Sequence, residues 1–134
     1  VLTGGEPCLP SDLGGGNWMA PTVISGLSPD SRCSTEEIFG PVVTLHRFET
    51  DDEALEIANC TSYGLAGSVW TSDLDRGRRF SESIETGMVW INAWLHRDLR
   101  VPFGGVKDSG VGREGGKWSL GFFSEAMNVC VKHD

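Results

Sequence analysis

The chain has 134 residues, a length that allows one domain with a core of its own. Its formal net charge of −8 at pH 7 argues against binding to nucleic acid or to an anionic membrane surface, because no basic stripe offsets the repulsion from phosphates. No apolar run approaches the roughly 20 residues of a membrane span. We therefore expect a cytoplasmic protein whose partners include neither nucleic acid nor a membrane.

The cysteines are far apart in the sequence, at Cys8, Cys33, Cys60 and Cys130. They form no C-x-x-C pair. The pattern therefore predicts neither a metal site nor a disulfide framework, and we expect reduced thiols.

Residues 1–41 are predicted to be mostly loop, because they contain Gly14-Gly15-Gly16 and five of the six prolines. A structureless stretch of this length is uncommon inside a compact domain. We therefore expect the chain to begin partway through a larger unit.

The first predicted strand covers residues 42–48, which are rich in β-branched and apolar side chains and follow Pro41. Thr50 and Glu53 then form a capping box, which predicts the start of a helix. Apolar residues at helical spacing extend this helix over residues 51–60.

A second strand is predicted over residues 65–71, and a helix over 73–85 with Leu74, Phe80 and Ile84 on its inner face. The apolar run at 88–92 predicts a third strand, buried on both faces as in a parallel sheet. The order β-α-β-α-β indicates an α/β fold with an open, mainly parallel sheet and flanking helices.

The end of the chain is predicted to form a helical turn or two within residues 117–126 and a strand over 127–132. This strand has nothing after it to pair with, so we expect it to contact another subunit of a homo-oligomer. The sequence thus divides into residues 1–116, part of a larger domain, and a contact segment, 117–134.

The glycine-rich residues 102–116 contain the pattern G-x-G-x-x-G from Gly110 to Gly115. In a dinucleotide-binding loop a buried strand precedes this pattern and a βαβ unit continues after it. Residues 106–109 are polar and too short for such a strand. The pattern is therefore not interpreted as a nucleotide-binding loop.

Two longer motifs indicate a different structural role for these glycines. Residues 36–41 read E-E-I-F-G-P, residues 102–114 match P-F-G-G-x-K-x-S-G-x-G-R-E, and "YGLAGSVWT" and "GMVWIN" lie between them. In this order the motifs resemble the C-terminal half of the aldehyde dehydrogenase superfamily, from Asn17 nearly to the end. The resemblance implies the C-terminal part of that catalytic domain, and a close-packed loop in which the glycines serve tight turns and backbone approach.

The resemblance also implies site residues. Glu37 would accept hydrogen bonds from the nicotinamide ribose, Phe39 would pack beside the nicotinamide, and Phe103 would line the aldehyde's access tunnel. The residues alone favour an exposed carboxylate at Glu37, and a core aromatic is an equally compatible interpretation of Phe103. Asn92, at the end of a strand, is expected to be structural. The implied cofactor is NAD, with NADP left open.

A finer resemblance lies in "WLHRDLR", residues 94–100, which is similar to a W-x-x-R-D-L-R run in the branch that oxidises 2-hydroxymuconic and 2-aminomuconic semialdehydes. These substrates end in a carboxylate, which a guanidinium binds through two parallel hydrogen bonds. Arg97 is the first candidate for this role and Arg100 the second. The alternative is that both arginines pair with Asp98 or with other surface acids.

Enzymes of this superfamily attack the aldehyde with a cysteine in an F-x-N-x-G-Q-x-C context, and none of the four cysteines has that context. The dinucleotide-binding half is also missing. We therefore assign no catalytic residue and expect the C-terminal part of an NAD(P)-dependent semialdehyde dehydrogenase, inactive alone. The alternative is a non-catalytic interaction or assembly module. The true substrate, and whether the chain is a natural short form, stay open.

Overall fold

The structure is a computed structural model that describes residues 1–8 and 15–133. The chain separates into two compact units, Val1–Ser62 and Tyr63–Asp134. The contact segment assigned to residues 117–134 stays a prediction.

The first unit is built on two parallel strands. The strand β1, Thr22–Ser25, pairs in register with β2, Val42–Leu45, and the short helix α1, Arg32–Thr35, lies between them in sequence. Thr22 is buried, and its hydroxyl accepts a hydrogen bond from the Gly5 nitrogen and donates one to the Ala20 carbonyl oxygen, each over 2.8 Å. The sequence predicted mostly loop for residues 1–41 and did not predict β1 or α1, because glycine and proline content hid these two four-residue elements.

The helix α2, Asp51–Asn59, completes the first unit and begins at the predicted cap. The Thr50 hydroxyl accepts a hydrogen bond from the Glu53 nitrogen at 3.1 Å. The Glu53 carboxylate accepts a hydrogen bond from the Glu49 nitrogen at 2.7 Å, so the backbone N–H of the residue before the cap also has a partner.

The described residues of the second unit form four strands and two helices: β3 (Tyr63–Gly64), β4 (Ala66–Val69), α3 (Leu74–Ser83), β5 (Met88–Ile91), β6 (Val106–Lys107) and α4 (Gly116–Phe122). The strands β4 and β5 are parallel, with Ala66 opposite Met88, and β3 pairs antiparallel with β6. The helix α3 packs on β5 through Gly77, where an added Cβ would lie 3.0 Å from Ile91 Cγ2. Glycine is therefore what lets this helix approach the strand closely.

The predicted α/β class, with parallel strands and flanking helices, is confirmed, but the grouping of the strands differs. The sequence predicted one sheet for the runs at 42–48, 65–71 and 88–92, whereas β2 pairs with β1 and β4 pairs with β5. The inner face predicted for α3 is also corrected at Leu74, whose residue surface is 57% exposed. Leu74 is the first residue of α3 and lies three residues before Gly77, where the helix packs on β5.

Burial within the described residues is low. No apolar side chain there is buried, and β5, predicted to be buried on both faces, is half-buried at all four positions. Residues 124–133 contain no helix or strand, and Met127, Val129 and Val131 are 83%, 69% and 70% exposed. The predicted terminal strand therefore has no partner within the described chain, and its subunit contact stays a prediction. None of the described helices is long and apolar enough to cross a membrane.

Candidate functional site

The glycine-rich segment packs backbone against backbone. An added Cβ at Gly87 would overlap the carbonyl oxygen of Gly104, and one at Gly105 would lie 2.6 Å from Ser109 Cβ. The Ser109 hydroxyl accepts a hydrogen bond from the Gly64 nitrogen at 2.9 Å. The interpretation of these glycines as sites of close backbone approach is confirmed.

The same segment lacks the geometry of a dinucleotide-binding loop. The strand before it, β6, has two residues and pairs antiparallel with β3. A dinucleotide loop instead follows a strand of a parallel βαβ unit. Within the pattern, an added Cβ at Gly115 would overlap the Val101 carbonyl oxygen, so this glycine serves packing, whereas one at Gly110 would meet nothing within 4 Å.

A cleft of about 610 Å³ lies in the second unit, between the start of β5 and the loop at residues 96–103. Its apolar lining includes Met88, Trp90, Val101 and Phe103. Its charged lining consists of Arg97, Asp98 and Glu114. An apolar cleft with a few charged groups is typical of a small-molecule site.

Arg97 and Phe103, both predicted to bind substrate, lie together in this cleft. The Arg97 guanidinium carbon lies 4.0 Å from the centroid of the Phe103 ring. Within the described chain, Arg97 has no acidic partner. Stacking on an aromatic face leaves the edge donors of a guanidinium available for a planar anion.

Arg100, the second candidate, is engaged with Asp98. Its Nε donates to Asp98 Oδ1 at 2.9 Å, its Nη2 to Oδ2 at 2.5 Å, and its backbone nitrogen to Oδ1 at 2.9 Å. These hydrogen bonds lower the pKa of Asp98 and raise that of Arg100. The alternative of pairing with Asp98 therefore holds for Arg100 and does not hold for Arg97.

Two tryptophans support the loop that carries Arg97. The Trp90 indole nitrogen donates to the His96 carbonyl oxygen at 2.9 Å. The Trp94 ring lies edge-on to Trp90, with 5.4 Å between the ring centroids. Sequence reasoning assigned Trp90 only to a buried strand, and the spacing of four residues between the tryptophans was the only available signal.

Asn92 has the structural role expected for it. Its side chain accepts a hydrogen bond from the Thr71 nitrogen at 2.8 Å and donates one to the Thr71 carbonyl oxygen at 2.7 Å. These bonds join the chain just after β4 to the chain just after β5.

Glu37 and Phe39, the predicted cofactor residues, line a shallow hollow of about 310 Å³ in the first unit. Phe39 is 93% exposed, and its φ of 52° lies in the left-handed region. Neighbouring Glu36 accepts hydrogen bonds from Arg32 Nε at 2.8 Å and Nη2 at 2.9 Å, which lower the pKa of Glu36. Glu37 has no hydrogen bond or ion pair among the described residues, so its carboxylate is the uncommitted one of the two.

Comparison with known proteins shows the family of this chain. Residues 1–129 match the sequence profile of the "Aldehyde dehydrogenase family". The chain belongs to this family. The resemblance drawn from the E-E-I-F-G-P and P-F-G-G motifs is thus confirmed.

Two relatives of this aldehyde dehydrogenase chain are semialdehyde dehydrogenases. The chain is 50% identical over 132 residues to "2-hydroxymuconic semialdehyde dehydrogenase" from Pseudomonas putida, covering 98% of this chain and 27% of the relative. It is 47% identical over 125 residues to "2-aminomuconic semialdehyde dehydrogenase" from Homo sapiens, covering 93% and 26%. The chain therefore spans about a quarter of the length of these relatives.

A solved structure has the same fold. The match to betaine aldehyde dehydrogenase from Staphylococcus aureus, crystallised in complex with NAD⁺, has a TM-score of 0.85 at 41% identity. It covers 92% of this chain and 24% of that chain.

The four cysteines of this aldehyde dehydrogenase chain are free and exposed. The Cys60 thiol donates to the Ile57 carbonyl oxygen at 3.0 Å, as expected for a thiol at a helix C-terminus. Cys33 lines the hollow beside Glu37, and none of the residues that line the larger cleft is a cysteine. The described lining of the cleft thus offers charged and apolar binding groups but no cysteine thiol.

Proposed function

We propose that this chain is the C-terminal part of an NAD-dependent aldehyde dehydrogenase that oxidises a carboxylated semialdehyde to the acid. The observation that carries the proposal is the Arg97 guanidinium, which stacks on Phe103 in an apolar cleft and has no acidic partner among the described residues. The names of the relatives, which act on semialdehydes of muconic acids, support the same substrate class.

On the substrate side, Arg97 binds the carboxylate at the far end of the semialdehyde through two parallel hydrogen bonds. Phe103 holds the guanidinium plane and contributes apolar surface to the substrate's carbon chain. Arg100 is the second candidate for this contact, but binding the substrate would require it to leave Asp98.

On the cofactor side, Glu37 accepts hydrogen bonds from the ribose hydroxyls of the nicotinamide half, and Phe39 packs beside the nicotinamide. An uncommitted carboxylate next to an exposed aromatic ring fits this group chemically. The NAD⁺ bound to the Staphylococcus aureus relative supports NAD as the cofactor. Bound NAD supplies the hydride acceptor of the oxidation.

The catalytic thiolate belongs, in this proposal, to a part of the enzyme outside these 134 residues. No cysteine here stands in the F-x-N-x-G-Q-x-C context, so this chain contributes binding surfaces and does not turn over alone. Residues 117–134 contribute a contact between subunits of a homo-oligomer in the cytoplasm.

A second candidate function is an assembly module without catalysis. It is favoured by the exposed apolar residues at alternate positions of the terminal segment, Met127, Val129 and Val131. In this case the short chain is itself the working form and docks on other subunits.

The two candidates are separated by comparing the complete reading frame with the isolated chain. We expect the full-length protein to reduce NAD with 2-hydroxymuconic semialdehyde, with a higher kcat/KM than for an uncharged aldehyde of similar length, and the isolated chain to give no turnover. A native start codon near Val1, together with a native mass that shows the short chain bound to other subunits, would support the assembly module instead. Robust turnover by the isolated chain would contradict both candidates.

A further inference from the structure

We infer that Arg100 is a positioning residue for the substrate's carboxylate: it neutralises Asp98 and so keeps Asp98 from competing with the substrate for Arg97. This inference rests on the proposed function, in which Arg97 binds the carboxylate. It gives Arg100 a role that is indirect and separate from that of Arg97.

The position of Asp98 beside Arg97 is the reason for this role. Asp98 is adjacent to Arg97 in sequence and lines the same cleft. A carboxylate one residue from a guanidinium is tethered to it and is present at high effective concentration. Without a partner of its own, the Asp98 carboxylate would therefore compete with the substrate's carboxylate for the Arg97 guanidinium.

Arg100 forms hydrogen bonds with both carboxylate oxygens of Asp98. Its side chain donates to Oδ1 and to Oδ2, and its backbone nitrogen adds a third hydrogen bond to Oδ1. An arginine matches a carboxylate in this two-pronged way better than a lysine would. Asp98 is thereby engaged with Arg100, and Arg97 is left on Phe103.

The charge of the cleft points the same way. The charged side chains in its lining are Arg97, Asp98 and Glu114, so the carboxylates outnumber the guanidinium. An anionic substrate is disfavoured in such a lining. Pairing Asp98 with Arg100, which does not itself line the cleft, removes this excess of negative charge.

A direct contact between Arg100 and the substrate makes the opposite prediction about Asp98. If Arg100 itself binds the carboxylate, removing Asp98 does nothing to restore a lost Arg100. If Arg100 acts by neutralising Asp98, removing the charge of Asp98 makes Arg100 dispensable. The two roles are therefore distinguished by a rescue experiment.

The experiment compares R100Q, D98N and the double variant in the full-length dehydrogenase, with 2-hydroxymuconic semialdehyde and an uncharged aldehyde as probes. We expect R100Q to raise KM for the charged probe about two- to fivefold, the range of an exposed ion pair, with kcat and the uncharged probe unaffected. The double variant should return KM for the charged probe to the wild-type value. An unaltered KM in R100Q, or a double variant as impaired as R100Q, overturns the inference.

A matched control removes the same charge elsewhere. Arg78 pairs with Asp75 at 3.3 Å on the exposed face of α3 and does not line the cleft, so R78Q should leave both KM values unchanged. An equal rise of KM in R78Q would show a general charge effect and overturn the inference.

The R97A variant separates this inference from the proposed function. A selective loss with R97A together with a neutral R100Q overturns only the role of Arg100. Equal effects of R97A on both probes overturn the proposed substrate contact, and the role of Arg100 with it.

Discussion

The loop at residues 94–103 and the loop at residues 36–41 each carry a proposed binding site, and each contains a carboxylate paired with an arginine. In the first loop, Asp98 pairs with Arg100 beside Arg97. In the second, Glu36 pairs with Arg32 beside Glu37. In both, the proposed binding residue has no charged partner within the part of the chain that the structure describes.

The loops differ in what supports that residue. Arg97 lies on the Phe103 ring, and its loop is tied to β5 by the hydrogen bond from Trp90 to His96. Glu37 has no such contact among the described residues, and its neighbour Phe39 is 93% exposed. The proposed substrate-binding residue is therefore held in place by contacts within this chain, whereas the proposed cofactor-binding residue has no such support among the described residues.

The largest effect should come from adding a side chain at Gly87, where the backbone lies against Gly104, the residue just after the first loop. In G87A the new Cβ overlaps the Gly104 carbonyl oxygen, and backbone cannot move aside as a side chain can. We expect a loss of about 1–3 kcal/mol or more in the free energy of unfolding, or no soluble enzyme. The control is G121A, where a Cβ meets nothing within 4 Å, and which should stabilise α4 slightly. Similar unfolding midpoints for the two variants would contradict the packing described here.

The second loop should show the reverse pattern, with ligand binding affected and stability unaffected. In the E37Q variant of the full-length dehydrogenase we expect NAD to bind about ten- to a hundredfold more weakly, because a charge-assisted hydrogen bond contributes roughly 1.5–3 kcal/mol. The unfolding temperature should not change, because Glu37 has no hydrogen bond or ion pair among the described residues to lose. Titration calorimetry with NAD checks the affinity, and E36Q, which removes the neighbouring carboxylate, should bind NAD nearly normally. A large effect of E36Q would mean that the two glutamates have been assigned in the wrong order.

A smaller effect is expected at the tie between β5 and the first loop. W90F keeps an aromatic ring but removes the donor to the His96 carbonyl oxygen, a hydrogen bond that contributes about 0.5–1.5 kcal/mol. We expect that loss in chemical unfolding and a modest rise of KM for the charged substrate. W70F, at a tryptophan that is 67% exposed, serves as the control. If W90F and W70F behave alike, the tie does not organise the loop.

The smallest effect concerns acid. The pKa values of Asp98 and Glu36 are lowered in the folded chain from ordinary values of 3.8 and 4.5, chiefly by hydrogen bonds from their arginines. The stability that each pair contributes is therefore full above the ordinary value and is lost as the pH falls through the lowered one. Unfolding midpoints measured from pH 6 to pH 3 should fall slightly less in D98N and E36Q than in the wild type. A steeper fall in either variant would contradict the assigned sign.

The sequence specified some of these features and left others open, for physical reasons. The helices α2 and α3 were predictable because side-chain caps and apolar spacing are local signals, and Thr50 and Asp73 do cap them. The strand β1 was not, because its partner is distant in sequence and glycine and proline surround it.

The candidate site was predictable to the same limited extent. The motifs placed Arg97, Arg100 and Phe103 in one segment, but no pattern distinguishes an arginine that stacks on a ring from one that pairs with Asp98. Both arrangements depend on side-chain positions that the fold sets.

The most direct test of the account is the kinetic selectivity of R97A in the full-length dehydrogenase. Losing a charge-assisted pair of roughly 1.5–3 kcal/mol should lower kcat/KM for 2-hydroxymuconic semialdehyde about ten- to a hundredfold. R97K should recover only part of this loss, because an ammonium cannot form two parallel hydrogen bonds, and an uncharged aldehyde of similar length should be oxidised almost as before. Equal losses for the charged and uncharged aldehydes, or no loss for either, would contradict the assignment of Arg97 as the residue that binds the carboxylate.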